Sequence, residues 1–256
     1  MHNNSSNRYW VVIPAAGVGK RMRERMPKQY LPLHGRPVIQ HTLDCFLHHP
    51  DISGLVVAIS AEDEYWQDIS IECDKPVYTV SGGTERCHSV RNALEFLSDK
   101  ADSDDWVLVH DAARPCLRKE DIDKLIDTVS NESTGGLLAI PVRDTMKRAD
   151  AAGRSLETVE RAQLWHAQTP QMFHLDALLS ALNVAIERGN LVTDEAAAIE
   201  QTGALPLLVE GHADNIKITH PEDLQLAAFF LEFQHGLPFE DDLSVDEIDG
   251  LSADEG

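Results

Sequence analysis

Apolar runs alternate with helical patterns along most of the chain. The apolar runs predict strands over Trp10–Pro14, Leu55–Ile59, Val77–Val80, Trp106–His110, Leu137–Val142 and Leu205–Val209. Between them the pattern predicts helices near Val38–Leu47, Glu85–Leu97, Lys119–Val129, Leu175–Glu187 and Asp194–Gln201, with Glu222–Phe233 last. Pro221, with Glu222 and Asp223 beside it, suits the first turn of that last helix. Alternation at this spacing predicts an α/β fold, a mainly parallel twisted sheet with helices on both faces. Ligands of such sheets bind outside the carboxyl ends of the strands. One stretch breaks the rhythm: residues 143–166 are polar and mixed in charge, with no obvious core strand. It reads as an arm leaving the sheet, short hairpin strands included.

At 256 residues and 28.4 kDa the chain can bury one substantial core, expected over residues 9–237. No apolar run approaches the ~20 residues that span a bilayer, and the start, MHNNSSNR, lacks the apolar core of a secretion signal. Cys45, Cys73, Cys87 and Cys116 lack C-x-x-C spacing, so idle thiols in a reducing cytoplasm are expected. The formal net charge of -21 argues against non-specific nucleic-acid binding. From Phe239 onward there are eight carboxylates and no Lys or Arg, so residues 238–256 read as an acidic, disordered and solubilising tail. Residues 1–8 read as a disordered N-terminus.

Against that acidity, Val11 to Tyr30 (VVIPAAGVGKRMRERMPKQY) packs Lys20, Arg21, Arg23, Arg25 and Lys28 into nine residues. A buried strand there runs into Ala15, Ala16, Gly17 and Gly19, a turn with little side chain to obstruct a ligand. Backbone N–H groups of such a turn form a concave anion site. Gly17 and Gly19 are followed by Lys20-Arg21-Met22 rather than a third spaced glycine, so the dinucleotide fingerprint fails. Arg21 after Gly19-Lys20 rules out a P-loop too. What remains, G-x-G-x-R-M followed by Pro27-Lys28, looks like the nucleotide loop of sugar-phosphate nucleotidyltransferases; a glycine turn with a solvated basic rim is the plainer alternative.

Ser81-Gly82-Gly83 leads to Ser89 on a predicted helix, where a hydroxyl can bond a base or phosphate oxygen. A plain strand-to-helix turn explains it equally well. Val107–Pro115 (VLVHDAARP) carries more: a strand ending in Asp111 sets a carboxylate at the sheet's carboxyl edge, where Mg²⁺ takes one or two carboxylates plus phosphate oxygens. Arg114 can bind a second phosphate. The alternative is that Asp111 caps its turn and pairs with Arg114. Thr145 and Arg161 lie on the arm, and Lys217, between two apolar residues, suits an anion ligand or a snorkelling surface lysine.

Taken in order, PAAGVGKRM, PKQY, SGGTERCHSV, VHDAARP, VRDTMK, LWHAQTPQMF, VTDEAAAIE and NIKITHPEDL resemble one family over residues 9–233: 2-C-methyl-D-erythritol 4-phosphate cytidylyltransferase, the CTP-using enzyme of the non-mevalonate isoprenoid pathway. The resemblance implies a Rossmann-like nucleotidyltransferase fold with a protruding dimerisation arm. It implies that Ala15, Ala16, Gly17 and Gly19 wrap the CTP phosphates, that Arg21 and Lys28 are the catalytic cations, and that Gly82, Gly83 and Ser89 hold the cytidine. Asp111 and Arg114 then lie near Mg²⁺, with Asp111 as metal ligand, and near the sugar phosphate. Thr145, Arg161, Thr193 and Lys217 fall on methylerythritol phosphate positions, Lys217 counting among the nucleotide contacts as well. The arm would cross into a partner subunit, making a cytoplasmic homodimer that binds CTP and methylerythritol phosphate and neither nucleic acid nor membrane. A cytidylyltransferase for a pentitol phosphate such as ribitol 5-phosphate would share the CTP half. Some relatives fuse a cyclase domain after the last helix; the transferase alone is expected here.

Overall fold

The computed structural model of the chain describes residues 8–17 and 26–236. Gly19, Arg21, residues 1–7 and residues 237–256 lie outside the described residues. The first half runs β1 (Tyr9–Pro14), β2 (Pro32–Leu33), β3 (Arg36–Pro37), α1 (Val38–Leu47), β4 (Ile52–Ile59), β5 (Val77–Ser81), α2 (Arg86–Ser98) and β6 (Trp106–Val109). Then follow α3 (Lys119–Val129), β7 (Gly136–Pro141), β8 (Met146–Ala149), β9 (Ser155–Val159), β10 (Trp165–His174), α4 (Leu175–Glu187), α5 (Glu195–Glu200), β11 (Leu207–Glu210) and α6 (Pro221–Gln234).

Seven strands form one sheet in the order β11-β7-β10-β6-β1-β4-β5. Pairing is parallel from β6 through β1 and β4 to β5, and between β7 and β11, while β10 runs antiparallel between β6 and β7. Alternate residues of β1 point to opposite faces, as a strand's period of two requires. Val11 and Ile13 pack with Ile39, Leu43 and Phe46 of α1 and Ile122 and Leu125 of α3. Trp10 and Val12 pack with Val90 and Leu94 of α2 and Leu178 and Leu182 of α4. Helices therefore cover both faces, as the strand and helix alternation predicts. Burying each of these Val, Leu, Ile or Phe side chains contributes about 1.5–3 kcal/mol. α6 belongs to a third cluster, resting Ala227 and Leu231 on Val38, Cys116 and Ile218. Its first turn carries Pro221, and Asp223 Oδ2 accepts the backbone N–H of His220 at 2.8 Å.

The predicted strands and helices reappear with ends moved by a few residues, but β10 was not predicted: its centre reads Gln168-Thr169-Pro170-Gln171, too polar and proline-bearing for a core strand. Trp165 and His166, the last residues of the expected arm, already pair with Pro141 and Ile140 of β7. The rest of the arm is the β8–β9 hairpin, standing outside the seven-stranded sheet. Arg8, grouped by sequence with the N-terminal tail, is tied down: its backbone N–H donates to Asp105 Oδ1 at 2.9 Å. All four cysteines are free. Among the described residues no helix is long and apolar enough to cross a membrane.

Candidate active site

The carboxyl ends of β1 and β6 meet the N-terminus of α2 around a cleft of about 280 Å³. Its floor is the turn after β1. Ala15 N–H donates to Ala58 O at 2.7 Å, and Gln29 Nε2 donates to Ala15 O and Gly17 O at 2.7 and 3.1 Å. The two Gln29 bonds use the turn's carbonyls, which would otherwise repel an anion.

One wall is the turn between β5 and α2. Ser89 Oγ accepts the backbone N–H of Gly83 at 3.0 Å and donates to Glu85 O at 3.3 Å, closing the turn over the helix start. A Cβ at Gly82 would lie 2.3 Å from Ala16 Cβ, and one at Gly83 would lie 2.2 Å from His88 Cβ. The two glycines are therefore needed for close approach of backbone to backbone, and the sequence expectation of permissive glycines acquires a steric cause. The N-terminus of α2, which faces the cleft through Thr84, Glu85 and Arg86, favours negative charge there.

The opposite wall carries charge. Asp111, two residues past β6 and 7% exposed, receives Arg86 Nε on Oδ1 at 3.0 Å and both Arg114 Nε and Lys217 Nζ on Oδ2, at 3.3 and 2.9 Å. Burial alone would raise the Asp111 pKa. Arg86 first, then Lys217 and Arg114, outweigh it and hold the carboxyl well below the usual range. Arg86 in turn gives Nη1 and Nη2 to the two oxygens of fully buried Glu195 at 2.6 and 3.0 Å. Burial works against the guanidinium charge, but Glu195 and Asp111 overcome it and raise the Arg86 pKa. Burial pushes the Glu195 carboxyl up while Arg86 pulls it back; two short N–H contacts, one per oxygen, are those of a carboxylate.

Behind Asp111, hydrogen bonds run in one direction. The Asp111 N–H donates to Thr169 Oγ1 at 3.2 Å, the Thr169 hydroxyl lies 2.9 Å from His110 Nδ1, and His110 Nε2 lies 3.0 Å from Arg114 O. A carbonyl only accepts, so Nε2 carries the proton and Nδ1 accepts from Thr169, which fixes a neutral imidazole. Burial pushes the His110 pKa down to about 4, consistent with that tautomer. Arg114 Nη1 donates to Asn215 O at 2.6 Å, and Asn215 Nδ2 to Thr169 O at 2.8 Å, so the segment before α6 is stitched to β10. Lys28 Nζ donates to Ile218 O at 2.7 Å, bringing the start of the chain against the residue after Lys217.

The cleft thus gathers Ala15, Ala16, Gly17, Lys28, Gly83, Ser89, Asp111 and Lys217 from the sequence-based set, with Gly82 directly behind Ala16. Arg114 does not line the cleft; it pairs with Asp111 beneath it, the alternative that the sequence left open. Thr145, Arg161 and Thr193 do not line it either: all three are exposed, the first two on the arm, where Arg161 donates to Arg143 O, and the third before α5. Arg86, Glu195, Gln29, Thr169 and Asn215 carry no role in the sequence reading, although each sits inside a motif quoted there.

As a metal site, the cleft offers two carboxylates, Glu85 and Asp111, of which Asp111 already holds three cationic side chains. Among the described residues the one cluster of three potential metal ligands is His49, Asp51 and Asp123, none of which lines the cleft. A carboxylate has about four acceptor positions, so Asp111 can still take Mg²⁺, provided phosphate oxygens and water bring the remaining ligands.

Known proteins share this chain's sequence and fold. The family profile described as 2-C-methyl-D-erythritol 4-phosphate cytidylyltransferase matches residues 9–233. A relative of that name from Vibrio vulnificus is 53% identical over 220 residues, covering 86% of this chain and 93% of its own. A crystal structure of 4-diphosphocytidyl-2C-methyl-D-erythritol synthase superposes with a TM-score of 0.77 at 38% identity, covering 88% of this chain and 99% of that one. The cytidylyltransferase structure from Francisella tularensis gives 0.76 at 35% identity, covering 87% and 99%. Sequence and fold agree, and the chain belongs to the 2-C-methyl-D-erythritol 4-phosphate cytidylyltransferase family.

Proposed function

We propose that this cleft transfers CMP from CTP to 2-C-methyl-D-erythritol 4-phosphate, giving 4-diphosphocytidyl-2-C-methyl-D-erythritol and pyrophosphate, in the non-mevalonate route to isoprenoid precursors. The observation that carries the reading is an ionised Asp111 carboxylate held by Arg86, Arg114 and Lys217 in a cleft that Lys28 and the α2 N-terminus also line, beside a turn where glycines hold backbone against backbone. A phosphate oxygen of the sugar attacks the α-phosphorus of CTP, forming one P–O bond as the bond to pyrophosphate breaks. Both reactants are anions, so the obstacles are mutual repulsion and charge growing on the α-phosphoryl oxygens.

The chain's groups address both obstacles by positioning and fixed charge. The Ala15–Gly17 turn and the start of α2 take the triphosphate, and Ser89 braces the cytidine side. Lys28 faces the phosphates, and the family resemblance gives Arg21 the same task. Lys217, 2.9 Å from Asp111 Oδ2, is placed to meet the attacking phosphate. Mg²⁺ on Asp111 would add positive charge to the phosphate oxygens. No covalent intermediate is needed.

The substrate-binding roles of Thr145 and Arg161 go with a homodimer in which each arm serves the partner's cleft. Support comes from the hairpin itself: β8 and β9 are exposed or half-exposed at every position, with Leu156 63% exposed, and neither residue reaches its own cleft. Four unpaired cysteines favour a reducing compartment, the cytoplasm. The test is pyrophosphate release from CTP and Mg²⁺ with methylerythritol phosphate, ribitol 5-phosphate being run in parallel. Release with the first alone is expected; release with the second alone would move the substrate and leave the chemistry.

A further inference from the structure

One guanidinium joins three segments of the cleft wall. Arg86 opens α2, Asp111 follows β6, and Glu195 opens α5 two residues after Thr193. Arg86 spends one bond on Asp111 and two on Glu195. Glu195 is fully buried and does not line the cleft. Desolvating an ion pair largely cancels its attraction, so stability alone explains a buried Glu195 poorly. Its effect on Asp111 explains it better. Guanidinium and carboxylate prefer a two-pronged fork. Glu195 takes that fork on Nη1 and Nη2 and so fixes the plane of the guanidinium, in which Nε reaches one Asp111 oxygen, Oδ1, while Oδ2 receives Lys217 and Arg114. Without the Glu195 charge, the guanidinium can turn onto both Asp111 oxygens and draw the carboxylate toward α2, away from Lys217.

We propose that Glu195 is a positioning residue for the reaction, which limits Arg86 to a single bond with Asp111 and so keeps Asp111 and Lys217 aimed at the reacting phosphates. This rests on the cytidylyltransferase reading of the cleft.

The experiment uses the full-length chain carrying Glu195→Gln, which preserves shape and removes the charge. Pyrophosphate release gives kcat, and Mg²⁺-free calorimetric titration with CTP gives binding without turnover. Displacement of a reacting group by about an ångström costs up to ~10²-fold, so kcat is expected to fall about 10- to 100-fold. CTP affinity should stay within about twofold, since the backbone of the Gly82–Ser89 turn is braced by Ser89 and not by Glu195. Glu195→Gln should add nothing to Arg86→Gln, because it acts through that guanidinium. Wild-type kcat in Glu195→Gln, a parallel loss of CTP affinity, or additive losses would each overturn the proposal. Should Glu195→Gln fail to fold, Glu195→Asp keeps the charge but is too short to hold both nitrogens; lower turnover with unchanged CTP affinity is expected, and wild-type turnover refutes the role. A wild-type protein silent with both sugar phosphates defeats the cytidylyltransferase reading and this role with it. An active wild type beside an equally active Glu195→Gln defeats the positioning role alone.

Discussion

Gly82→Ala tests the cleft at its tightest point. The added methyl would sit 2.3 Å from Ala16 Cβ, 3.0 Å from Ser89 Oγ and 3.3 Å from Ile59 O. Ordinary carbon–carbon contact is about 3.5–4.0 Å, so the turn after β1 and the turn before α2 must part by more than an ångström. Ala16 has no side-chain rotamer with which to yield, and Ala15 is held by its bond to Ala58 O, so the backbone has to move. Overpacking of this kind costs about 1–3 kcal/mol, which lowers Tm by about 2–12 °C in a chain of this size. The functional loss should be larger, because both walls of the phosphate cradle shift: about 10²-fold in kcat/KM for CTP. Gly17→Ala is the control, since a Cβ there meets nothing within 4 Å. Its Tm should match wild type, and any loss of CTP affinity would then come from the ligand's approach alone. Thermal unfolding with calorimetric CTP titration separates the two. A Gly82→Ala protein with wild-type Tm and CTP affinity would refute the steric argument.

Three other predictions address charge, assembly and pH. Lys28→Ala and Lys217→Ala should each lower kcat by about 10²–10³ with far-ultraviolet circular dichroism unchanged, as expected for loss of one well-placed charge donor; wild-type turnover in either would reject its assignment. If each arm serves the partner's cleft, equal mixing of Lys28→Ala and Arg161→Ala chains, after subunit exchange, rebuilds one intact site in each mixed dimer, so activity should rise to about a quarter of wild type. No recovery would place Arg161 in its own subunit's reaction, or in none. His110 has a folded-state pKa lowered to about 4 by burial, so below about 6.5 the unfolded chain takes up a proton that the folded chain refuses. Its contribution to stability is intact above that pH and lost as pH falls toward 4, and urea unfolding should show wild type losing up to about 3 kcal/mol more than His110→Gln between pH 7 and pH 4. Equal losses would mean that His110 is protonated in the folded state.

What the sequence made legible divides along physical lines. Strands covered on both faces, such as β1, β4 and β6, announce themselves as apolar runs because nothing else survives there. Glycines and a terminal Asp mark the cleft because each residue type has few other uses in such a turn. Roles that depend on pairing did not show. Arg86 and Glu195 are separated by 109 positions and meet only after α2 and α5 pack against the same side of the sheet. Likewise, no spacing rule ties Lys28 to Ile218.

β10 carries the sharper lesson, because its composition contradicts its place. Gln168, Thr169 and Gln171 are almost fully buried in a strand between β6 and β7, where an apolar run is the norm. Each has work that an apolar residue could not do. Gln168 Nε2 donates to His212 O at 3.0 Å, Thr169 holds the Asp111 backbone, and Gln171 Oε1 accepts the N–H of Ala196 at 2.7 Å in the first turn of α5. Pro170, which lacks an N–H, falls where the β10–β7 register shifts between Ala167 and Gln171, so the ladder does not need its donor there. The strand is the rear support of the active site: on one side it fixes the loop bearing Asp111, and on the other the helix bearing Glu195. A segment whose local pattern argues against its own secondary structure is most easily explained by function, and here Thr169 and Gln171, two of the polar residues that conceal the strand, hold the two carboxylates of the Arg86 network in place.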